Sequence, residues 1–207
     1  MIDGPFRSWL PSVTRPLIAV YGGLKLTPNA ISLASAFIAM GAAYLCAQDL
    51  PMAALVAWWS GRLLDGTDGI YARATGQTSD FGAYLDIVCD MASYSVMILG
   101  FSFLHPQYQT LWSIVLLLYV LCITSALALG SLEQKIGVTL RDNRGLRLSA
   151  GLAEGGETGL AYSAFLLFPG FLSFLLPLWI GVLAITVIAR TLLAYRMFRA
   201  QNSPNSL

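Results

Sequence analysis

Eleven acidic residues occur in this 207-residue chain, and four of them, Asp65, Asp68, Asp86 and Asp90, stand inside stretches that are otherwise apolar. An ionised aspartate near the centre of a membrane helix costs roughly 2.5–3.5 kcal/mol to insert, so four of them demand compensation. Their spacing shows how it arises. Asp65 and Asp68 are three residues apart and Asp86 and Asp90 four apart, so on helices each pair shares a face. The polar link between the two stretches, Ala74 to Asp80, is short, which lets both faces converge at one end. Four converging carboxylates repel one another unless cations neutralise them. Hard oxygen ligands suit magnesium, manganese or calcium rather than zinc. A pair of divalent ions ~4 Å apart is the arrangement that serves phosphoryl transfer.

Solvated helix ends would explain the acids more simply, but depth argues against them. Counted from Met52 at ~1.5 Å per residue, Asp65 lies ~20 Å along its stretch, about 10 Å short of the boundary of a ~30 Å hydrocarbon core. Hydration at that depth needs a water-filled cavity. Gly66, Gly69, Ala72, Gly82 and Ala83 strip side chains from the same faces, letting a bulky ligand or a neighbouring helix approach the backbone. Arg73, eight residues after Asp65 on the same face, can receive a phosphate through charge-assisted hydrogen bonds. Packing alone accounts for the small residues, and a positive-inside bias alone accounts for Arg73. Neither accounts for both beside four acids.

The elements that must position these residues are membrane helices. Only 11% of the residues are charged and 57% are hydrophobic, with a mean hydropathy of +0.68, whereas a soluble domain is about 25% charged. This excludes a water-soluble domain and a disordered chain, and three Cys are too few for a disulfide scaffold. A net charge of +1 gives no reason to expect nucleic acid as a partner. Six apolar stretches approach the roughly 20 residues that a bilayer core requires. They run from Asn29 to Gln48, Met52 to Arg73, Phe81 to Leu104, Thr110 to Ser131, Glu154 to Phe168 and Ser173 to Arg196. Thr27-Pro28-Asn29 places a capping signal at the start of the first.

Residues Pro5 to Leu26 interleave Phe6, Trp9, Leu17 and Tyr21 with Arg7, Arg15 and Lys25, the mix of a helix lying in the membrane interface. Pro5, Pro11 and Pro16 interrupt it too often for a signal-peptide core. The predicted fold is an all-α integral membrane protein. It forms a single domain over residues 1–207, with an N-terminal interfacial amphipathic helix within 5–26 and a bundle of six transmembrane helices over 29–199. Lys and Arg favour cytoplasmic loops. They fall before the first stretch, at the end of the second, between the fourth and fifth and after the sixth, while the opposite loops hold none. Both termini and the acid cluster are therefore predicted on the cytoplasmic side of the membrane.

The run Asp65-Gly66-Thr67-Asp68-Gly69-Ile70-Tyr71-Ala72-Arg73, followed by Gly82, Asp86 and Asp90, resembles the signature of the CDP-alcohol phosphotransferase family at every fixed position and gap. Eight positions are fixed within 26 residues, which makes a chance match improbable. The six-helix plan, the interfacial segment and the Thr-Pro-Asn run resemble that family as well. The resemblance implies an enzyme that transfers a phosphatidyl group from a CDP-linked lipid, CDP-diacylglycerol, to a small polar alcohol with release of CMP, using two divalent cations, Mg2+ or Mn2+. It implies that Asp65, Asp68 and Asp86 ligate the metals. Asp90, at the same metals, would be the general base that takes the acceptor hydroxyl proton. Asp65, Gly69, Ala72, Arg73 and Gly82 would bind the CDP. A homodimer is implied in the same way.

The other polar concentration is Glu133 to Glu157. Arg141, Arg144 and Arg147 read equally as an ordinary cytoplasmic loop and as part of an acceptor site with Glu154, Glu157 and Thr158. Glu157 would enter the membrane as the fifth stretch opens. The lysine-rich fifth-helix pattern associated with phosphatidylglycerophosphate synthases is missing, which leaves the acceptor open. Arg62, three residues before Asp65, is predicted to pair with an acid, and Arg190 to snorkel or face the same cavity. His105 is predicted to be solvated in the outer loop.

Two readings from other classes compete. An ion or proton transporter requires charged or broken-helix signals continuing toward the outer face, and none is visible in the sequence. A membrane scaffold would use the acids to hold structural calcium. Within the enzyme reading, a CDP-linked alcohol could serve as donor and diacylglycerol as acceptor.

Overall fold

The computed structural model describes residue 14, residues 16–136 and residues 155–201. Among them the chain is helical throughout, without strands. Residues 16–23 form a helical segment, followed by α1 (Pro28–Ala47), α2 (Pro51–Thr75), α3 (Asp80–Leu104), α4 (Gln109–Ile136), α5 (Gly155–Leu167) and α6 (Leu172–Gln201). Short 3-10 turns at Pro106–Tyr108 and Pro169–Phe171 precede α4 and α6. Each apolar stretch of the sequence thus falls on one helix.

Local chemistry sets the boundaries. Thr27 caps α1 by accepting from the Ala30 amide at 3.3 Å, with Pro28 in the first turn, where its missing N–H costs nothing. Pro51 opens α2 in the same way. Gly76 ends α2 at φ 66°, in the left-handed conformation that glycine adopts freely. Ser79 then caps α3, accepting from the Gly82 amide at 3.0 Å. The two acid-bearing helices are therefore joined by a link with a defined start and finish.

Four helices, α1, α3, α4 and α6, are long and apolar enough to cross a membrane. The other two fall short of that standard for opposite reasons. α2 is 25 residues long but carries Arg62, Asp65, Asp68 and Arg73, and α5 is apolar but has only 13 residues. Large side chains such as Phe37, Phe103, Phe171 and Phe174 are at least 65% exposed, an apolar exterior that water would not tolerate.

α1 packs closely on α2 and α3, and α4 packs on α6. Small residues make the first contact possible. A Cβ built on Gly100 of α3 would lie 2.5 Å from the Ala43 carbonyl oxygen of α1, and one on Gly61 of α2 would lie 3.2 Å from the Ser35 carbonyl oxygen. Gly100→Ala is expected to destabilise the protein by about 1–3 kcal/mol, because backbone cannot yield as a side chain can. Gly181→Ala, which meets open space, should leave stability nearly unchanged. Thermal unfolding of both variants in detergent checks the contrast.

A buried aromatic core fills the space where α2 to α6 meet. Phe101 stacks on Trp112 with ring centroids 5.3 Å apart, and Tyr162 lies 5.0 Å from Trp58. The helical segment at residues 16–23 docks on α2 through Tyr21, whose hydroxyl is 2.9 Å from Thr67 Oγ1 and whose ring meets Tyr71 edge-on at 5.5 Å. Of the stretch read as interfacial, residues 5–13 and 15 lie outside the described residues.

Candidate active site

The helical faces converge as their spacing requires. One ligand oxygen from each of Asp65, Asp68 and Asp86 lies within 4.8 Å of the others. Asp68 is the most constrained. Its Oδ2 accepts a hydrogen bond from Ser32 of α1, and its Oδ1 accepts from the Gly69 amide at 2.5 Å. Asp65 Oδ1 is buried and has no hydrogen-bond partner. A buried carboxylate oxygen left unpaired is costly, and a hard divalent cation is the group that three converging carboxylates fit. The residues present therefore suit a magnesium- or manganese-like ion.

Asp90 does not join this three-residue group. Its Oδ1 accepts from Arg62 Nη1 at 2.5 Å, so Arg62 pairs with an acid as its position predicts. The same nitrogen lies 3.4 Å from Asp65 Oδ2 and 3.1 Å from the Tyr94 hydroxyl. The guanidinium is 5.2 Å from the ring centroids of both Trp58 and Tyr94, a cation–π setting that helps a buried charge.

A cavity of about 550 Å³ runs past these groups. Asp68, Gly69, Ala72 and Arg73 of α2 line one side, and Gly82, Ala83, Asp86 and Asp90 of α3 another. The Arg73 guanidinium folds back over Gly69, where an added Cβ would come within 3.3 Å of Nη1. A Cβ on Gly82 would meet Ser79 Oγ at 3.1 Å and Asn29 Oδ1 at 3.2 Å. These glycines therefore leave backbone within reach of a ligand. Gly66 and Asp65 are not among the lining residues. Tyr94, Tyr119, Cys122, Thr158 and Arg190 also line the cavity. Arg190 is 3% exposed and donates from Nη1 to the Cys122 carbonyl at 2.7 Å, so it faces this cavity rather than snorkelling.

Of the residues read as an acceptor site, Thr158 lines the cavity and Glu157 does not. Arg141, Arg144, Arg147 and Glu154 lie outside the described residues. His105 caps the end of α3, away from the acids. Burial holds its imidazole below the usual value, with Asp49 opposing. Sequence reasoning missed Ser32 and Tyr94. Ser32 sits three residues after Asn29 on α1, and Tyr94 one turn beyond Asp90, positions that share a face with those two cavity-lining residues.

The sequence model for CDP-alcohol phosphatidyltransferases matches residues 25–188. The chain is 30% identical over 177 residues to the inner membrane protein YnjF of Escherichia coli, covering 82% of this chain and 83% of that one. It is 32% identical over 111 residues to a CDP-diacylglycerol–inositol 3-phosphatidyltransferase of Candida albicans, a match that spans 54% of this chain and about half, 48%, of the relative. The fold is shared with the phosphatidylinositol phosphate synthase of Mycobacterium tuberculosis. Its CDP-DAG-bound structure aligns with a TM-score of 0.59 at 19% identity, over 95% of this chain and 97% of that one. Its complex with manganese and citrate aligns at 0.60 and 20% identity, over 94% and 91%. A match over most of the chain, which includes both acid-bearing helices, places it: the chain belongs to the CDP-alcohol phosphatidyltransferase family.

Proposed function

We propose that this protein is a phospholipid-synthesis enzyme that transfers a phosphatidyl group from CDP-diacylglycerol to a small polar alcohol, releasing CMP. The observation that carries the reading is the meeting of Asp65, Asp68 and Asp86 within 4.8 Å beside a cavity that also holds Arg73. Carboxylates alone would repel a diphosphate, whereas cations held by them, with an arginine alongside, attract it. Two divalent ions, Mg2+ or Mn2+, held by these three aspartates would neutralise the diphosphate and the charge on departing CMP.

The chain's own groups supply the rest. Arg73 holds a phosphate of the donor, and Gly69, Ala72 and Gly82 admit the nucleotide against backbone. Asp90 lines the cavity with Oδ1 already occupied by Arg62, which leaves Oδ2 to take the acceptor hydroxyl proton. The acceptor oxygen forms a bond to the phosphatidyl phosphorus, the bond from that phosphorus to the CMP oxygen breaks, and CMP leaves. Thr158 and Tyr119 line the same cavity and are the described groups assigned to the acceptor.

In the bilayer, all six helices belong to one membrane domain. The short α5, which packs on α2 and α6, and the charged α2 stand in the membrane beside the four apolar spans, and the helical segment near the N-terminus lies in the interface. Positive-inside asymmetry puts the termini and the cavity mouth on the cytoplasmic side, and a homodimer belongs to the same reading.

The decisive experiment incubates purified protein with CDP-diacylglycerol, manganese and, separately, glycerol phosphate, inositol, inositol phosphate, serine and choline. Metal-dependent CMP release that needs one acceptor, with the matching lipid product, is the expected result. Ion flux in sealed vesicles without CMP release would favour the transporter instead. Arg73→Ala is expected to weaken binding of CDP-diacylglycerol about 10-fold or more, the worth of one charge-assisted hydrogen bond. An unchanged affinity by calorimetry would remove Arg73 from the nucleotide pocket.

A further inference from the structure

The acids of the cluster come from α2 and α3, yet both helices pack on a third, α1, which supplies no acid. Ser32 is the α1 side chain whose hydroxyl reaches the cluster. It is 4% exposed, lines the cavity and donates from Oγ to Asp68 Oδ2. A serine inside a helix ordinarily turns its hydroxyl back on a carbonyl of the preceding turn. Ser35 does so, donating to the Ser32 carbonyl at 2.7 Å. Ser32 has the same option in the Pro28 carbonyl, at 3.3 Å. A hydroxyl carries one proton, and the nearer, charged carboxylate is the stronger acceptor. The contact therefore serves Asp68 rather than α1 itself.

The backbone permits the reach. Gly61 of α2 admits the Ser35 carbonyl oxygen to within 3.2 Å of where a Cβ would stand, which brings α1 against the helix that carries Asp68. Asp68 then accepts at both oxygens, from Ser32 at Oδ2 and from the Gly69 amide at Oδ1. Two donors in fixed positions set the plane of a carboxylate, and each oxygen keeps a lone pair for a cation. We propose that Ser32 is a positioning residue for the cation site, contributing no ligand but holding the Asp68 carboxylate where it meets Asp65 and Asp86. This rests on the reading of those three aspartates as cation ligands.

Wild type, Ser32→Ala, Ser32→Thr, Ser32→Cys and Tyr21→Phe are compared in detergent for manganese affinity by calorimetry and for CMP release across a manganese series. Ser32→Ala should bind manganese about 10-fold more weakly, the usual worth of a group that orients a metal ligand. Its CMP release should fall at limiting manganese and return to within about 3-fold of wild type at saturation, because the ligands themselves remain. Ser32→Thr keeps the hydroxyl and should bind within about 3-fold of wild type. Ser32→Cys keeps the size but offers only a weak donor, so it should resemble Ser32→Ala and carries the test if the alanine variant fails to fold.

Tyr21→Phe separates this role from general damage to the same turn of α2. Thr67 gives its proton to the Leu64 carbonyl at 2.7 Å, so Tyr21 is the donor to Thr67 Oγ1 at 2.9 Å. That bond braces the turn through Thr67 and orients no ligand, so its loss should leave manganese affinity within about 2-fold of wild type. Wild-type or tighter manganese binding in Ser32→Ala, or in Ser32→Cys where alanine does not fold, overturns the proposal. So does a loss in Tyr21→Phe as large as that in the Ser32 variant. A wild-type protein that binds manganese with the expected pattern but releases no CMP would overturn the transferase reading and leave the role of Ser32 standing. Manganese-dependent CMP release with unchanged affinity in Ser32→Ala would do the reverse.

Discussion

Asp68→Asn is expected to weaken manganese binding at least about 10-fold and to reduce CMP release to background, while leaving the fold intact. The two halves of this expectation have separate causes. An asparagine oxygen can still accept from the Gly69 amide, as Oδ1 does now at 2.5 Å. The Ser32 hydroxyl, which loses its carboxylate acceptor, retains the Pro28 carbonyl at 3.3 Å. The local framework therefore survives. What disappears is one negative charge and one hard ligand from a three-carboxylate site, and cation affinity at oxygen sites depends on ligand charge and number. Calorimetric titration with manganese, read beside CMP release, checks both. Wild-type manganese affinity in Asp68→Asn would show that the ion sits elsewhere.

Asp90→Asn should produce the other large loss, with a different signature. The amide oxygen can accept from Arg62 as the carboxylate does at 2.5 Å, so α2 and α3 stay joined. The group can no longer accept a proton. General-base catalysis contributes about 10²–10⁴-fold, and kcat should fall by that factor. The KM for CDP-diacylglycerol should change little, because the donor's diphosphate is met by other residues. Steady-state kinetics at saturating manganese measure the split. Turnover at the wild-type rate would mean that another group takes the acceptor proton.

Much of the site was legible from the chain because it depends on local spacing. The three- and four-residue intervals of the aspartates become shared helical faces whatever surrounds them, and the link between the helices is bounded by glycine and serine signals that read directly. Helix ends were less legible where hydropathy was the guide. The fourth stretch reads as ending at Ser131, yet α4 continues to Ile136, and the sixth reads to Arg196, yet α6 reaches Gln201. Hydropathy reports the thickness of hydrocarbon, whereas a helix continues into polar residues as long as its backbone bonds are favourable.

The grouping of the four acids was legible only in part. Spacing treats Asp86 and Asp90 as equivalent members of one face. Asp90 differs in pairing with Arg62, which lies on another helix 28 residues earlier, a contact that spacing along one helix does not reveal. Ser32 was illegible for the same reason, since its contact with Asp68 joins residues 36 apart through a third helix.

The turn at Gly76 to Ser79 has a consequence for how this family can change over time. Each residue of an α-helix advances the phase by about 100°, so a single insertion or deletion in that turn would rotate Asp86 out of register with Asp65 and Asp68 unless the caps re-formed elsewhere. Ordinary loops drift freely in length. This one behaves as a gauge block between two shafts, and its dimension sets where the chemistry can align.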